Sequence, residues 1–416
     1  MTRILFAWEL GANFGHLSQM VPIARRLRQR GHDVLFAVKD ATVARNLLGP
    51  DGFAFLQAPT CGTRSHTASK PASFADILAE AGFDDVNILG GLVASWHHLF
   101  DIYRPGLVVS QYSPSAQLAA RIAGLPCISI GTGFERPPDV APFPCFRPWL
   151  NVTRNELLMR ERDLLVTINE SIASWGLPAF DSLQQALKVD ISLLATLPEL
   201  DHYPGRRGGH YIGPLCMLDH GDEWPWPIED GLPCIFAYLR PFRGISAVLE
   251  ALKKSGANVI AVISGISDKE RTAFTGERLR ISAQPLRTAT ILNRAQVVVS
   301  HGGHGMTAAS MLAGVPTLAI PISVEQWLTS RNVERLGSGI GVDRAHISSR
   351  FESALNRLLV ESAYREKAGA LMRKYSQYDQ DVVTGRLANT IERLPNYGNT
   401  RRVDGSVEHA QEILPA

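Results

Sequence analysis

The stretch Ser300-His301-Gly302-Gly303-His304-Gly305-Met306-Thr307 decides how this chain folds. It continues the apolar run Val297 to Ser300 and opens a helical segment that closes on Ala313-Gly314-Val315-Pro316. Glycines directly after a strand let the backbone approach a ligand. A helix starting there offers unpaired N–H groups and the positive end of its dipole. Strand, glycine turn and helix N-terminus together make a seat for a phosphate. His301, at the strand's carboxyl end, adds a side-chain donor for a diphosphate oxygen, and Thr307 adds a hydroxyl. The plain alternative is a tight strand-to-helix turn that binds nothing.

Working outward, Ile235 to Leu239, Val259 to Ile263 and Thr317 to Ile320 are further apolar runs, and Ile245, Val248, Leu249 and Leu252 share one helix face. Continuous apolar runs separated by helices read as parallel strands buried on both faces. The N-terminal part repeats the arrangement. Ile4 to Trp8, a helix carrying Leu17, Met20, Val21, Ala24 and Leu27 and stopped by Gly31, and Val34 to Val38 form one β-loop-α-β unit. Leu107 to Ser110, a helix over Ser115 to Ala123, and Cys127 to Ile130 form another. From Tyr203 through Trp224-Pro225-Trp226-Pro227 the chain is rich in proline and glycine, so the inter-domain connection falls there. The expected division is residues 1–200, a linker at 201–233, a second domain at 234–394 that includes C-terminal helices, and a polar tail at 395–416. The fold class is α/β, two Rossmann-like domains with parallel sheets facing across a cleft.

Composition limits the function. The chain has 416 residues, 45% of them hydrophobic and 20% charged, enough for two packed cores. Basic residues number 42 and acidic ones 40, so no global field attracts nucleic acid or an anionic membrane. The five cysteines show no metal-ligand spacing and suit reduced thiols. No signal-peptide pattern and no apolar run of about eighteen residues occurs, so a cytoplasmic enzyme without a membrane span is expected.

The run His301-Gly302-Gly303, then Gly305, Thr307, Ala313-Gly314-Val315-Pro316, Pro321 and Glu325-Gln326, resembles the nucleotide-sugar signature of the GT-B glycosyltransferases. These include the UDP-glycosyltransferases and the bacterial macrolide and glycopeptide enzymes. Gly15-His16-Leu17 with Ala24, Leu27 and Gly31-His32 is similar to the same family's opening segment. The resemblance implies an inverting, metal-independent transfer of a sugar from a dTDP- or UDP-sugar to a small hydrophobic or aromatic acceptor, as in natural-product glycosylation. It implies no cofactor beyond that co-substrate. It assigns the diphosphate to His301, Gly302, Gly303, Gly305 and Thr307, the sugar hydroxyls to Glu325 and Gln326, and the catalytic base to His16. The partners expected are these two small molecules, with a homodimer left open. Two other readings stand beside this one: a nucleotide-sugar epimerase or hydrolase of the same fold, and a binding protein that has lost catalysis.

The chain departs from the family at several positions. Ala309 stands where UDP-sugar members carry a glutamate for the ribose diol, which favours a 2′-deoxyribose and therefore dTDP. The loop Ala283-Gln284-Pro285-Leu286-Arg287 lacks the base-stacking tryptophan. Leu239-Arg240-Pro241 replaces a Gly-Ser loop and brings Arg240 toward a phosphate. Gln111 occupies the position of the aspartate that orients the base, leaving Glu9 and Glu135 as carboxylates able to substitute. A neutral amide fixes an imidazole tautomer without stabilising the imidazolium. Trp96, Phe100, Phe74 and Phe83 are candidates for an acceptor pocket, with packing in the core as the simpler reading. Asn13 breaks a GxGxxG pattern after the first strand, which argues against a dinucleotide oxidoreductase. Arg25-Arg26 and Arg206-Arg207 read as solvated surface.

Overall fold

The structure is a computed structural model and describes residues 1–12, 14–62, 70–216 and 221–404. Asn13 and the end of the expected tail, 405–416, lie outside the described residues. The chain divides into two compact units. One comprises Met1–Thr196, Tyr203–Leu215 and the segment from Asp379; the other comprises Leu197–His202 and Cys216–Tyr378.

The first unit holds a seven-stranded sheet: β1 (Arg3–Trp8), β2 (Asp33–Val38), β3 (Ala54–Gln57), β4 (Leu107–Gln111), β5 (Cys127–Gly131), β6 (Ile191–Leu194) and β7 (His210–Tyr211). Its order is β3-β2-β1-β4-β5-β6-β7. The second unit holds a six-stranded sheet: β8 (Cys234–Leu239), β9 (Asn258–Ile263), β10 (Leu279–Ser282), β11 (Val297–Ser300), β12 (Thr317–Ala319) and β13 (Gly339–Gly341), in the order β10-β9-β8-β11-β12-β13. Every pairing between these strands is parallel. Both sheets thus have the doubly wound order, which reverses between β1 and β4 and again between β8 and β11. The apolar runs of the sequence are β1, β2, β4, β5, β8, β9, β11 and β12, each within a residue of its expected ends.

Alternation along a strand builds the cores. Ile235, Ala237 and Leu239 of β8 pack into one apolar cluster, while Cys234 and Phe236 pack into another. Burying each large side chain of this kind contributes roughly 1.5–3 kcal/mol, and with both faces covered the strands need no polar alternation.

The units are bounded differently from the sequence expectation. The stretch 201–233 is divided between them: His210–Tyr211 adds a strand beside β6, and the chain from Cys216 joins the second unit. The helix Gln380–Asp404 packs with the first unit, not with the 234–394 domain to which its first residues were assigned, and its continuation replaces the start of the expected tail. Arg30 Nη1 donates to Asn389 Oδ1 and Glu392 Oε2, both at 2.8 Å, and His32 Nε2 lies 2.8 Å from Glu392 Oε1. Helical periodicity identifies a helix; it carries no information about which core that helix covers.

Candidate functional site

The first sheet's reversal point holds His16. The loop after β1 leads into the helix Phe14–Gln29, with His16 in its first turn and 8% exposed. Two rings flank the imidazole: Trp8, stacked at 5.5 Å between centroids, and Tyr112, tilted at 5.8 Å. Gly11 (φ +78°) gives the ring its space, because an added Cβ would lie 2.1 Å from His16 Nε2. Tyr112 also has positive φ, 46°, a strain of about 1–2 kcal/mol in a non-glycine residue. It is held there by Leu10 N–H, which donates to Tyr112 O at 3.0 Å.

β1 and β4 are in register, with Trp8 opposite Gln111, so Gln111 ends its strand beside the loop that carries His16. Gln111 Oε1 lies 3.0 Å from His16 Nδ1, and Glu135 Oε1 lies 3.1 Å from the same nitrogen. Both oxygens accept, so Nδ1 carries a hydrogen, and in the neutral ring Nε2 is the nitrogen with the lone pair. Burial pushes the Glu135 carboxyl up, but the hydrogen bond and charge of His16 and the N–H of Thr132 outweigh this and hold it below the ordinary range. Thr132 N–H donates to Glu135 Oε2 at 2.7 Å. Gly131 makes room for that carboxylate, since an added Cβ would sit 2.5 Å from Oε2.

Glu9 does not orient His16. Its carboxylate accepts from Ser115 N–H at 2.8 Å, Ser115 Oγ at 2.6 Å, Ser113 Oγ at 3.1 Å and Trp96 Nε1 at 3.2 Å, which fills its acceptor positions and caps the helix Pro114–Ile122. The three carboxyl and amide candidates thus separate by chain position: Gln111 at the end of β4 and Glu135 after β5 reach the imidazole, and Glu9 after β1 faces another helix.

The second sheet's reversal point holds the glycine run. Gly302 (φ +74°) makes the turn after β11, and an added Cβ there would lie 3.1 Å from Gln326 O, so the loop sits against the first turn of the helix Val324–Arg335. Gly303 is the N-cap of the helix His304–Leu312 and brings no capping side chain. No side chain of the N-cap residue therefore caps the amides of that first turn, Gly305 included. Thr307 Oγ1 is buried and has no hydrogen-bond partner among the described residues. Glu325 and Gln326 lie in the first turn of the adjoining helix, where Gln326 Oε1 accepts from Ile322 N–H at 2.9 Å.

His301 differs from expectation. Its Nδ1 lies 2.9 Å from Ile320 O, and its Nε2 accepts from Arg240 N–H at 3.0 Å. A carbonyl can only accept and a backbone N–H can only donate, so the ring is the neutral Nδ1–H tautomer with no donor left for a phosphate. Burial pushes its pKa down, in keeping with the neutral form. His301 instead ties the end of β8 to those of β11 and β12, and Arg240 is brought beside the glycine run through its backbone. Ala309 packs in an apolar cluster with Trp226, Leu286 and Phe236, so nothing polar is offered from that position.

Trp96, Phe83 and Phe100 belong to the first unit's core. Phe74 belongs to that core as well, but it also lines a cavity of about 320 Å³ together with Tyr112, Phe143, Glu135 and Arg136. Arg206 is not simply solvated: its Nη2 donates to Arg136 O at 2.7 Å and Gly133 O at 3.4 Å, while Arg25 pairs with Asp51 at 2.8 Å. Sequence reasoning missed Gly131 and Arg136. A glycine two residues before a loop carried no pattern, and Arg136 gains its meaning from serines on strands far apart in the chain. Among the described residues no helix is long and apolar enough to cross a membrane.

Comparison with known proteins agrees with this geometry. Residues 246–383 match the family described as Erythromycin biosynthesis protein CIII-like, C-terminal domain. A PGL/p-HBAD biosynthesis rhamnosyltransferase of Mycobacterium bovis (strain BCG) is 27% identical, over 94% of this chain and 88% of its own length. Among solved structures, the calicheamicin glycosyltransferase CalG4 is 16% identical with a TM-score of 0.71, covering 95% of this chain and 98% of its own. The glycosyltransferase VinC, solved in complex with dTDP, is 15% identical with a TM-score of 0.68, covering 95% of this chain and 100% of its own. With two doubly wound sheets, a glycine run at one reversal point and a held histidine at the other, the chain has the GT-B fold and is similar over most of its length to glycosyltransferases.

Proposed function

We propose that the chain moves a sugar from a nucleoside-diphosphate donor, dTDP- in preference to UDP-, to a small hydrophobic or aromatic acceptor with inversion at the anomeric carbon. The observation that carries this reading is His16 Nδ1 held by Glu135, which leaves Nε2 as the basic nitrogen. The acceptor hydroxyl gives its proton to Nε2 as its oxygen bonds the anomeric carbon, and the bond from that carbon to the diphosphate breaks on the opposite side. Glu135 is a positioning residue that also stabilises the imidazolium as it forms. The departing diphosphate takes the electron pair, and its charge is met by the amides at the start of the helix His304–Leu312, by the Thr307 hydroxyl and by Arg240. An unpaired buried hydroxyl costs about 1–3 kcal/mol, so Thr307 gains from a ligand oxygen. Glu325 and Gln326 take the sugar hydroxyls. No metal ion or cofactor takes part beyond the donor, and the reaction is read as cytoplasmic.

The apolar surroundings of Ala309 support dTDP, since a ribose diol finds no acceptor there, and the VinC complex supports the same nucleotide. The rhamnosyltransferase relative makes a dTDP-deoxyhexose the first donor to try. The test is incubation with dTDP- and UDP-sugars and a panel of phenols, with the anomeric configuration of the product read by NMR. The expected result is an acceptor-dependent, inverted product whose formation His16→Ala slows by about 10³-fold. Donor consumed equally well without acceptor, or an epimerised donor, contradicts the reading.

A further inference from the structure

The cavity beside Glu135 has a wall that the reaction above does not use. Ser110 is in register with Ser129, and Ser129 with Ser192, so three hydroxyls lie side by side across β4, β5 and β6. From one end, Gln117 Nε2 donates to Ser110 Oγ at 2.8 Å and Ser129 Oγ at 3.2 Å. From the other, Arg136 donates through Nη1 to Ser129 Oγ at 2.8 Å, and through Nε and Nη2 to Ser192 Oγ at 3.1 and 2.5 Å. A guanidinium has five N–H groups, and these bonds engage one on each of its three nitrogens. The partners are neutral hydroxyls, so the charge is anchored without being cancelled. Burial pulls the guanidinium down to about 10, the cost of holding a half-buried charge with no carboxylate in ion-pair contact among the described residues. Three acids share the cavity lining without pairing with Arg136: Glu135 holds His16, Asp190 accepts from Cys127 N–H at 2.9 Å, and Asp139 is exposed.

The remaining walls include an aromatic group, Phe74 edge-on to Phe143 at 5.7 Å and tilted against Tyr112 at 6.3 Å. Tyr112 and Glu135 touch both the cavity and His16, so a ligand filling it lies one side chain from the base. Its lining also carries Lys188, Arg206 and Arg207 against Glu135, Asp139 and Asp190, so with Arg136 the cationic groups outnumber the carboxylates, and a cavity of about 320 Å³ with aromatic and cationic walls suits a flat apolar body carrying one anionic group.

We infer that this cavity binds the carboxylate of an aromatic acid through the spare N–H groups of Arg136, with the ring against Phe74, Tyr112 and Phe143. That this acid is the sugar acceptor rests on the function proposed above; that the cavity selects an anion does not. The serine row makes the guanidinium a preorganised fork, so binding does not have to order it.

The test compares 3-(4-hydroxyphenyl)propanoate with its methyl ester, first by calorimetric binding and then as acceptors with a dTDP-sugar. The acid is expected to bind the wild type about tenfold more tightly than the ester, and Arg136→Gln to remove that preference while leaving ester binding in place. Arg136→Lys keeps part of it. Equal binding of acid and ester to the wild type overturns the inference, whatever becomes of the variants, and so does a preference that survives Arg136→Gln. If the acid is preferred but neither compound is glycosylated, the anion site stands and its assignment to the acceptor falls.

Discussion

The two reversal points of this molecule are built on the same strand order and do opposite electrostatic work. Between β1 and β4 the chain gathers side chains: a histidine, an amide and a carboxylate converge on one nitrogen. Between β8 and β11 it gathers backbone: a left-handed glycine, an N-cap without a side chain and the first turn of a helix. A base needs a lone pair whose basicity is set by a neighbouring charge, which side chains supply. A diphosphate needs several donors at close range, and a Cβ there would only intervene. The histidines make the contrast clearest. His16 has Nδ1 bound to side-chain acceptors, while His301 has both nitrogens engaged by backbone and acts as a tie.

The strongest way to break this division is His16→Ala, which is expected to lower kcat/KM by about 10³-fold while the Kd for dTDP, read by calorimetry, stays within a factor of about two. If nucleotide affinity fell as far as turnover, the separation of roles would be wrong. Next comes Glu135→Gln, with a loss of about 10²-fold in kcat. Gly131→Ala acts in the same direction and more weakly, about tenfold, because its Cβ would press on Glu135 Oε2. Both are read by steady-state kinetics at saturating donor.

On the other side, Gly302→Ala meets Gln326 O and a strained φ, and should raise the Kd for dTDP about tenfold with the acceptor KM unchanged. The smallest effect concerns acid stability. The Glu135 carboxyl is held below its unfolded value near 4.3, so its contribution is complete above that pH and is lost as pH falls through the folded value. Thermal melts should therefore show the wild type losing more stability than Glu135→Gln on going from about pH 5 to pH 3.

The long apolar strands and the glycine run could be read in the sequence because their signals are local. β3, β6, β7, β10 and β13 could not: they are short, and β7 lies inside a stretch whose prolines and glycines announce a connector. His16, Gln111 and Glu135 were all visible as candidates, yet choosing Glu135 over Glu9 required knowing that Ser113, Ser115 and Trp96 already fill the Glu9 carboxylate. For His301 the reason is related. Its position at the strand end is what the glycine run implies, but the carbonyl of Ile320 and the N–H of Arg240 decide what its nitrogens can do. Arg136 lay beyond the sequence because registry across three strands aligns Ser110, Ser129 and Ser192, and register is a tertiary fact.

The central claim is that Glu135 sets the basicity of His16 while Gln111 only steadies the ring. The most direct measurement is the pH profile of kcat/KM for the wild type, Glu135→Gln and Gln111→Ala. Removing the carboxylate destabilises the imidazolium, so in Glu135→Gln the acid limb should move to lower pH as the plateau falls. In Gln111→Ala the limb should stay where the wild type has it. A limb that moves with Gln111 and not with Glu135, or with neither, would contradict the account.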